Sequence, residues 1–269
     1  MLSIGDRGYQ VAALQQNLNR HDYGLETDGL FGPVTEAAVR DFQRAHNLVV
    51  DGIAGRKTRR ALIQGDDPKA LRQIDLVGAA DTLEVDLAAV MAVNEVESRG
   101  AGFHFGGPRN GEPVILYERH IMRRRLEHYG VSPVSLERSH PALVNASPGG
   151  YIGGHREHNR LDKARDLHNE AAIESASWGA FQIMGFHWSR LGYASAHAWL
   201  EAMRASEGHQ LEAFVRFIEA DRAIHNALRR HDWRDFASRY NGPAFEKNDY
   251  DTKLAAAHRR HTAGLEVAA

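Results

Sequence analysis

The chain has no cysteine in its 269 residues. That excludes disulfides, thiolate metal sites and cysteine nucleophiles, and makes the fold indifferent to redox compartment. No large excess of either charge is present. The formal net charge is -2, so no global basic field argues for nucleic acid as a partner. No apolar run is long enough to cross a bilayer. The opening residues, Met1-Leu2-Ser3-Ile4-Gly5-Asp6-Arg7, lack the basic segment and apolar stretch of a secretory signal. His-Glu-x-x-His, the helical zinc signature, is absent although there are 16 histidines. What is present, 43% hydrophobic and 25% charged residues over a length comfortable for two domains, is ordinary for a globular protein.

Residues 1–64 read as one small unit of three helices. Val11, Leu14 and Leu18 mark a first helical face. Thr35 is the expected cap of a second helix carrying Ala38, Val39 and Phe42, and Thr58 of a short third with Ala61 and Leu62. An internal repeat joins them: Asp28-Gly29-Leu30-Phe31-Gly32-Pro33-Val34-Thr35 matches Asp51-Gly52-Ile53-Ala54-Gly55-Arg56-Lys57-Thr58. Each Asp-Gly suits a tight turn with positive φ. The residue after it, Leu30 or Ile53, is expected to plug the core. A polar stretch with Gly65 and Pro68, residues 65–71, reads as a linker, and 72–269 as a larger, mostly helical region.

In that region, apolar residues recur at Leu83, Leu87, Val90, Met91 and Val96. The spacing predicts one buried helical face, capped by Asp81 with Glu84 three residues on, and stopped by Gly100. Glu97 falls in the final turn, at the negative end of the helix dipole and beside the apolar face. Both influences favour the protonated carboxyl, so its pKa is expected to be raised, as a general acid requires. Taken alone, the stretch reads first as a surface glutamate near a helix end. Downstream, Pro113-Val114-Ile115-Leu116-Tyr117 reads as a short buried extended run delivering Glu118 before a helix over 119–129. A Pro/Gly/Ser loop covers 133–154, and helical patterns resume over 160–174 and 211–229. Between them lies Ser175-Ala176-Ser177-Trp178-Gly179-Ala180-Phe181-Gln182-Ile183-Met184-Gly185. Tyr240-Asn241-Gly242-Pro243 and a basic helix over 251–261 close the chain.

Two resemblances organise these observations. Gly5-Asp6-Arg7-Gly8, Val11, Leu14-Gln15, the two Asp-Gly-x-x-Gly-x-x-Thr copies and Phe42-Gln43 resemble the small three-helix peptidoglycan-binding domain of bacterial and phage cell-wall enzymes. That implies a non-catalytic anchor on bacterial peptidoglycan. The motif does not say which side chains meet the wall; Tyr23, Asp28, Phe31 and Arg40 are the candidates. Glu97-Ser98-Arg99-Gly100, Tyr117-Glu118-Arg119-His120, the segment from Trp178 to Met184 and Tyr240-Asn241-Gly242, in that order, resemble a phage-type N-acetylmuramidase domain of the lysozyme-like group. The resemblance implies a mainly α protein: a small three-helix wall-binding domain followed by a larger helical lysozyme-like domain.

Carried over residue by residue, Glu97 becomes the general acid for the bond between N-acetylmuramic acid and N-acetylglucosamine. Glu118 becomes the second carboxylate, activating water or stabilising positive charge on the ring. A salt bridge from Glu118 to Arg119, Arg123 or another neighbour is the competing reading. Tyr240 is expected to point at the catalytic glutamate or at substrate, or else to make a structural hydrogen bond. Ser98, Trp178, Gly179, Gln182 and Asn241 complete the candidate substrate-binding set. Trp178 would stack on a sugar, Gly179 would admit backbone close to the glycan, and Gln182 would hydrogen-bond an acetamido group. The loop between Glu97 and Glu118 is a few residues longer than the resemblance leads one to expect.

The expected activity is that of an endolysin, with no cofactor and no metal. The alternatives are a lytic transglycosylase, a non-catalytic wall-binding protein, and a zinc-dependent amidase using His155, His158 and His168. A monomer made in the host cytoplasm and reaching periplasmic peptidoglycan through a separate pore is implied. The basic helix at the end offers weak contact with the anionic envelope.

Overall fold

A computed structural model of the chain describes residues 1–98, 101–242 and 245–266, with the side chain of Lys247 left out. Arg99, Gly100 and Pro243, part of two expected motifs, lie outside the described residues. Two compact units form, one from 1–96 with 227–269, the other from 97–226. Residues 65–71 lie within the first.

The first unit opens with α1 (Tyr9–Asn19), α2 (Pro33–Ala45) and α3 (Arg56–Gln64). Val11, Leu14, Leu18, Val39 and Phe42 form their shared core, as the spacing predicts. Two details differ. Thr35 and Thr58 do not cap: α2 and α3 start after Gly32 and Gly55, and both threonines are buried inside the first turn. Leu30 is 44% exposed, and it is Phe31 and Ala54, one residue later in each repeat, that fill the core. The reason is a duplicated polar hub. Gln15 donates to the Asp28 carboxylate (2.8 Å), Leu30 O (3.1 Å) and Thr35 Oγ1 (3.1 Å), and accepts from Gly29 N–H (2.9 Å). Gln43 does the same with Asp51 (2.7 Å), Ile53 O (3.1 Å), Thr58 Oγ1 (3.2 Å) and Gly52 N–H (2.9 Å). Each buried glutamine thus consumes the turn's polar groups, and the first apolar residue is turned outward.

The stretch expected as one helix through Leu83 is two: α4 (Gln73–Leu83) and α5 (Leu87–Glu97). Glu84 takes a left-handed conformation, φ 51°, which ends α4. Asp81 lies inside α4, and Asp86 starts α5, its carboxylate accepting from Ala89 N–H at 2.9 Å. Residues 88–93 of α5 are buried throughout, and Glu97 is its last residue.

The second unit holds β1 (Ile115–Tyr117), α6 (Arg119–His128), α7 (Val134–Ser139), α8 (Glu157–Leu167), α9 (Asn169–Glu174), β2 (Ala176–Trp178), β3 (Ile183–Met184), α10 (Ala196–Ala205) and α11 (Glu207–Glu219). Its three strands form one antiparallel sheet in the order β1-β2-β3. Helix α12 (Arg222–Arg229) crosses into the first unit, which closes with α13 (Trp233–Asn241) and α14 (Tyr250–Glu266). His258, Arg260 and His261 of the expected basic face are engaged by Asp86 and Glu95 of the same unit.

Candidate active site

Glu118 occupies the junction where β1 ends and α6 begins. Its N–H donates to Ser175 O at 2.8 Å, and its carbonyl accepts from Ile121 and Met122 N–H at 3.0 Å each. The side chain is 15% exposed. The Tyr151 hydroxyl reaches both carboxylate oxygens, at 3.0 and 2.9 Å, and His120 Nδ1 lies 3.2 Å from Oε2, off hydrogen-bond direction. Of the expected competitors, the two arginines are engaged elsewhere, and His120 is the neighbour within ion-pair distance. Arg119 donates to Ser147, Pro141 and Pro148 carbonyls, and Arg123 pairs with Glu127 and Glu137. Burial pushes the Tyr151 phenol above its usual range, and the Glu118 carboxylate adds to that.

Tyr151 is supplied by the Pro/Gly/Ser loop, and a buried ion pair pins that loop. Glu157, fully buried, accepts from Ile152 N–H (2.6 Å) and Gly153 N–H (2.9 Å) with one oxygen. The other takes Arg160 (2.8 Å) and Tyr117 N–H (3.3 Å). Arg160 in turn donates to Tyr117 O (2.9 Å) and Ala142 O (2.8 Å). The pair therefore clamps the residue before Glu118 and the residue after Tyr151 to one point. Burial raises the Glu157 carboxyl, but the Gly153 and Ile152 N–H groups and Arg160 outweigh it and hold the carboxyl below its usual range.

The segment from Trp178 to Met184 joins Glu118 through the sheet. Ile115 pairs with Trp178 and Tyr117 with Ala176. Gly179 N–H and the Gln182 amide both donate to Val114 O, at 2.8 and 3.3 Å. The Gln182 amide is thus fixed at Val114 O, where β1 begins, and Glu118 stands where the strand ends.

Several expectations for this segment are corrected. Trp178 is 1% exposed and its indole N–H donates to Ile173 O at 3.0 Å, so it is core and offers no face to a sugar. Gly179 is required by packing: a Cβ there would meet the Gln210 side chain at 2.4 Å, and φ is +72°. Gln182 is half-buried at φ +52°, and its amide donates to Gly179 O while Oε1 accepts from Ser177. A left-handed non-glycine residue whose amide is held by three such hydrogen bonds is a fixed polar point on the sheet.

Glu97 is half-buried at the C-terminal end of α5, and Ser98 is 4% exposed. Tyr240 and Asn241 are half-buried at the end of α13, where the Tyr240 ring stacks on Phe236 at 5.7 Å. Of the anchor candidates, Phe31 is 2% exposed and belongs to the core, Asp28 is held by Gln15, Arg40 pairs with Glu36, and Tyr23 packs on Phe42. The imagined zinc set does not assemble among the described residues. His158 is buried with Nε2 2.8 Å from Pro113 O, and His168 caps α9 through Ala171 N–H.

The comparisons with known proteins bear on both parts. Residues 86–262 match the N-acetylmuramidase family. The chain belongs to that family. Residues 7–62 match a peptidoglycan binding domain. The chain is similar to a crystal structure of a Burkholderia AP3 phage endolysin, with 50% identity and a TM-score of 0.90, covering 97% of this chain and 99% of that one. It is 42% identical over 69 residues to a zinc D-Ala-D-Ala carboxypeptidase of Streptomyces albus G, spanning 24% of this chain and 27% of that protein. It is 39% identical over 79 residues to an N-acetylmuramoyl-L-alanine amidase of Mycobacterium tuberculosis, spanning 26% of this chain and 19% of that one. With so little of those two proteins covered, their activities do not carry over. Muramidase membership supports a glycoside hydrolase directed at peptidoglycan.

Tyr151, Glu157 and Arg160 escaped the sequence reading. Tyr151 and Glu118 are 33 positions apart, and no local pattern links a loop tyrosine to a strand end.

Proposed function

We propose that this chain is an endolysin-type peptidoglycan hydrolase: residues 1–64 hold the wall, 65–71 link, and 72–269 cut the β-1,4 bond between N-acetylmuramic acid and N-acetylglucosamine. The observation that carries this reading is the placement of two carboxyls at opposite kinds of helix end. Glu97 closes α5, where the dipole is negative and a proton on the carboxyl is favoured. Glu118 opens α6, at the positive end, with the Tyr151 hydroxyl on its oxygens. One group is suited to donate a proton to the leaving glycosidic oxygen. The other is suited to activate water or to stabilise the cationic ring. Gln182 Oε1, which takes one hydrogen bond from Ser177, is the proposed acceptor for the N–H of a neighbouring acetamido group. Ser98, Tyr240 and Asn241 are proposed to support substrate.

Clearing of permeabilised cells tests the acid. Glu97→Gln is expected to remove nearly all activity with an unchanged melting curve; clearing at the wild-type rate would refute the assignment. A second reading, a lytic transglycosylase, is favoured by one observation: Glu118 is already engaged by Tyr151, and that reaction needs only one acid. There the muramyl 6-hydroxyl replaces water. Among the described residues no helix is long and apolar enough to cross a membrane, and access to the wall from the cytoplasm calls for a separate pore.

A further inference from the structure

Three ligand-type side chains outside the proposed cleavage machinery meet in the first unit. Asp86 starts α5, His231 sits in the turn between α12 and α13, and His258 lies on α14. Both imidazoles turn Nε2 toward the same carboxylate: His231 is 2.6 Å from Oδ2 and His258 is 3.0 Å from Oδ1. All three ligand atoms lie within 4.8 Å of one another. The groups are held, not loosely gathered. Asp86 is fixed by its bond from Ala89 N–H, and the His231 ring stacks 5.5 Å from Trp233. The His258 ring packs 5.2 Å from the same indole and 4.3 Å from His231. His231 also keeps a left-handed backbone, φ +53°, which a non-glycine residue adopts at a cost and which aims its ring at Asp86.

We infer that Asp86, His231 and His258 form a binding site for a divalent transition metal of the zinc class. Two imidazole nitrogens and one carboxylate oxygen suit zinc, cobalt or nickel. Magnesium and calcium ask for an all-oxygen set. Three ligands at about 2.0–2.2 Å from one ion stand roughly 3.3 Å apart in a tetrahedron. The 2.6 and 3.0 Å pairs and the 4.8 Å limit bracket that spacing. Coordination requires each ring proton to sit on Nδ1, freeing both Nε2 lone pairs. The fourth position is left for water. Asp86 and His231 side chains are 43% and 38% exposed, so an ion reaches the site from solvent. The role is structural. An ion here ties the first turn of the Glu97 helix to the closing helices, across ligands far apart in sequence, and so restricts the unfolded chain. This inference does not depend on the proposed reaction.

The test uses the full chain, stripped with chelator and titrated with zinc chloride by calorimetry. Cobalt chloride in place of zinc reads the coordination geometry from its visible spectrum. Two variants keep the local fold. Asp86→Asn retains a capping oxygen, and His231→Asn tolerates the left-handed backbone. The expected result is one equivalent bound in the wild type, weakened at least tenfold in both variants, with strong cobalt bands lost in each. Zinc at a hundred-fold excess over its Kd should raise the wild-type Tm by about 8 °C and leave the variants unmoved. Absence of a one-equivalent site in the wild type, or equal affinity in both variants, overturns the proposal and leaves a hydrogen-bonded His-Asp-His cluster.

Discussion

Replacing Glu157 with glutamine removes a negative charge from the interior of the second unit while keeping the side chain's shape. Glutamine can still accept from Ile152 and Gly153 N–H with one end, but its other end becomes a donor facing the Arg160 guanidinium and Tyr117 N–H. Removing one partner of a buried ion pair costs about 3–5 kcal/mol. Arg160 keeps three carbonyl acceptors, so the lower end, about 3 kcal/mol, applies. At roughly 3 °C per kcal/mol for a unit of this size, Tm falls by about 10 °C. Thermal melts followed by circular dichroism measure it. Clearing of permeabilised cells well below the melting range should fall further than the lost stability explains, because the clamp also holds the Tyr151 loop against Glu118. The double variant Glu157→Met with Arg160→Met should be less destabilised than either single change, since no unpaired charge is left inside. A Tm within about 2 °C of wild type for Glu157→Gln would show that the pair does not carry the loop.

Gly179→Ala should lower stability by about 1–3 kcal/mol through overpacking. The new Cβ meets Gln210, which cannot retreat while it accepts from Ala180 N–H and donates to Met203 O; an unchanged melt would refute this. Burial, with Arg190 adding to it, pushes His187 down to about 4. Its folded pKa lies below the unfolded value of about 6.5, so its contribution is complete above that pH and is lost as pH falls toward 4. Melts across this window should steepen for the wild type relative to His187→Gln, and parallel curves would contradict it.

The sequence was legible where the fold depends on short-range periodicity. Val11, Leu14 and Leu18, and Val90 and Met91, lie on buried faces as their spacing requires, and Glu97 ends its helix. Legibility failed where polar groups decide. Asp81 with Glu84 imitates a capping box, yet Glu84 turns left-handed and Asp86 caps instead. Leu30 looks like the core plug until Gln15 claims the turn and rotates Phe31 inward. Trp178 has the chemistry of a sugar platform, but its burial is set by Ile173 O and by the strand pairing with Ile115, neither visible locally. The Glu118 neighbourhood was half legible. Its position at a strand end was read from Pro113 to Tyr117, whereas Tyr151, Glu157 and Arg160 meet it only through tertiary contacts.

Mass spectrometry of purified peptidoglycan after digestion tests the central claim most directly. Hydrolysis by Glu97 with Glu118 predicts fragments ending in reducing N-acetylmuramic acid. Fragments ending in 1,6-anhydromuramic acid would contradict it and assign the chain to single-acid transglycosylation.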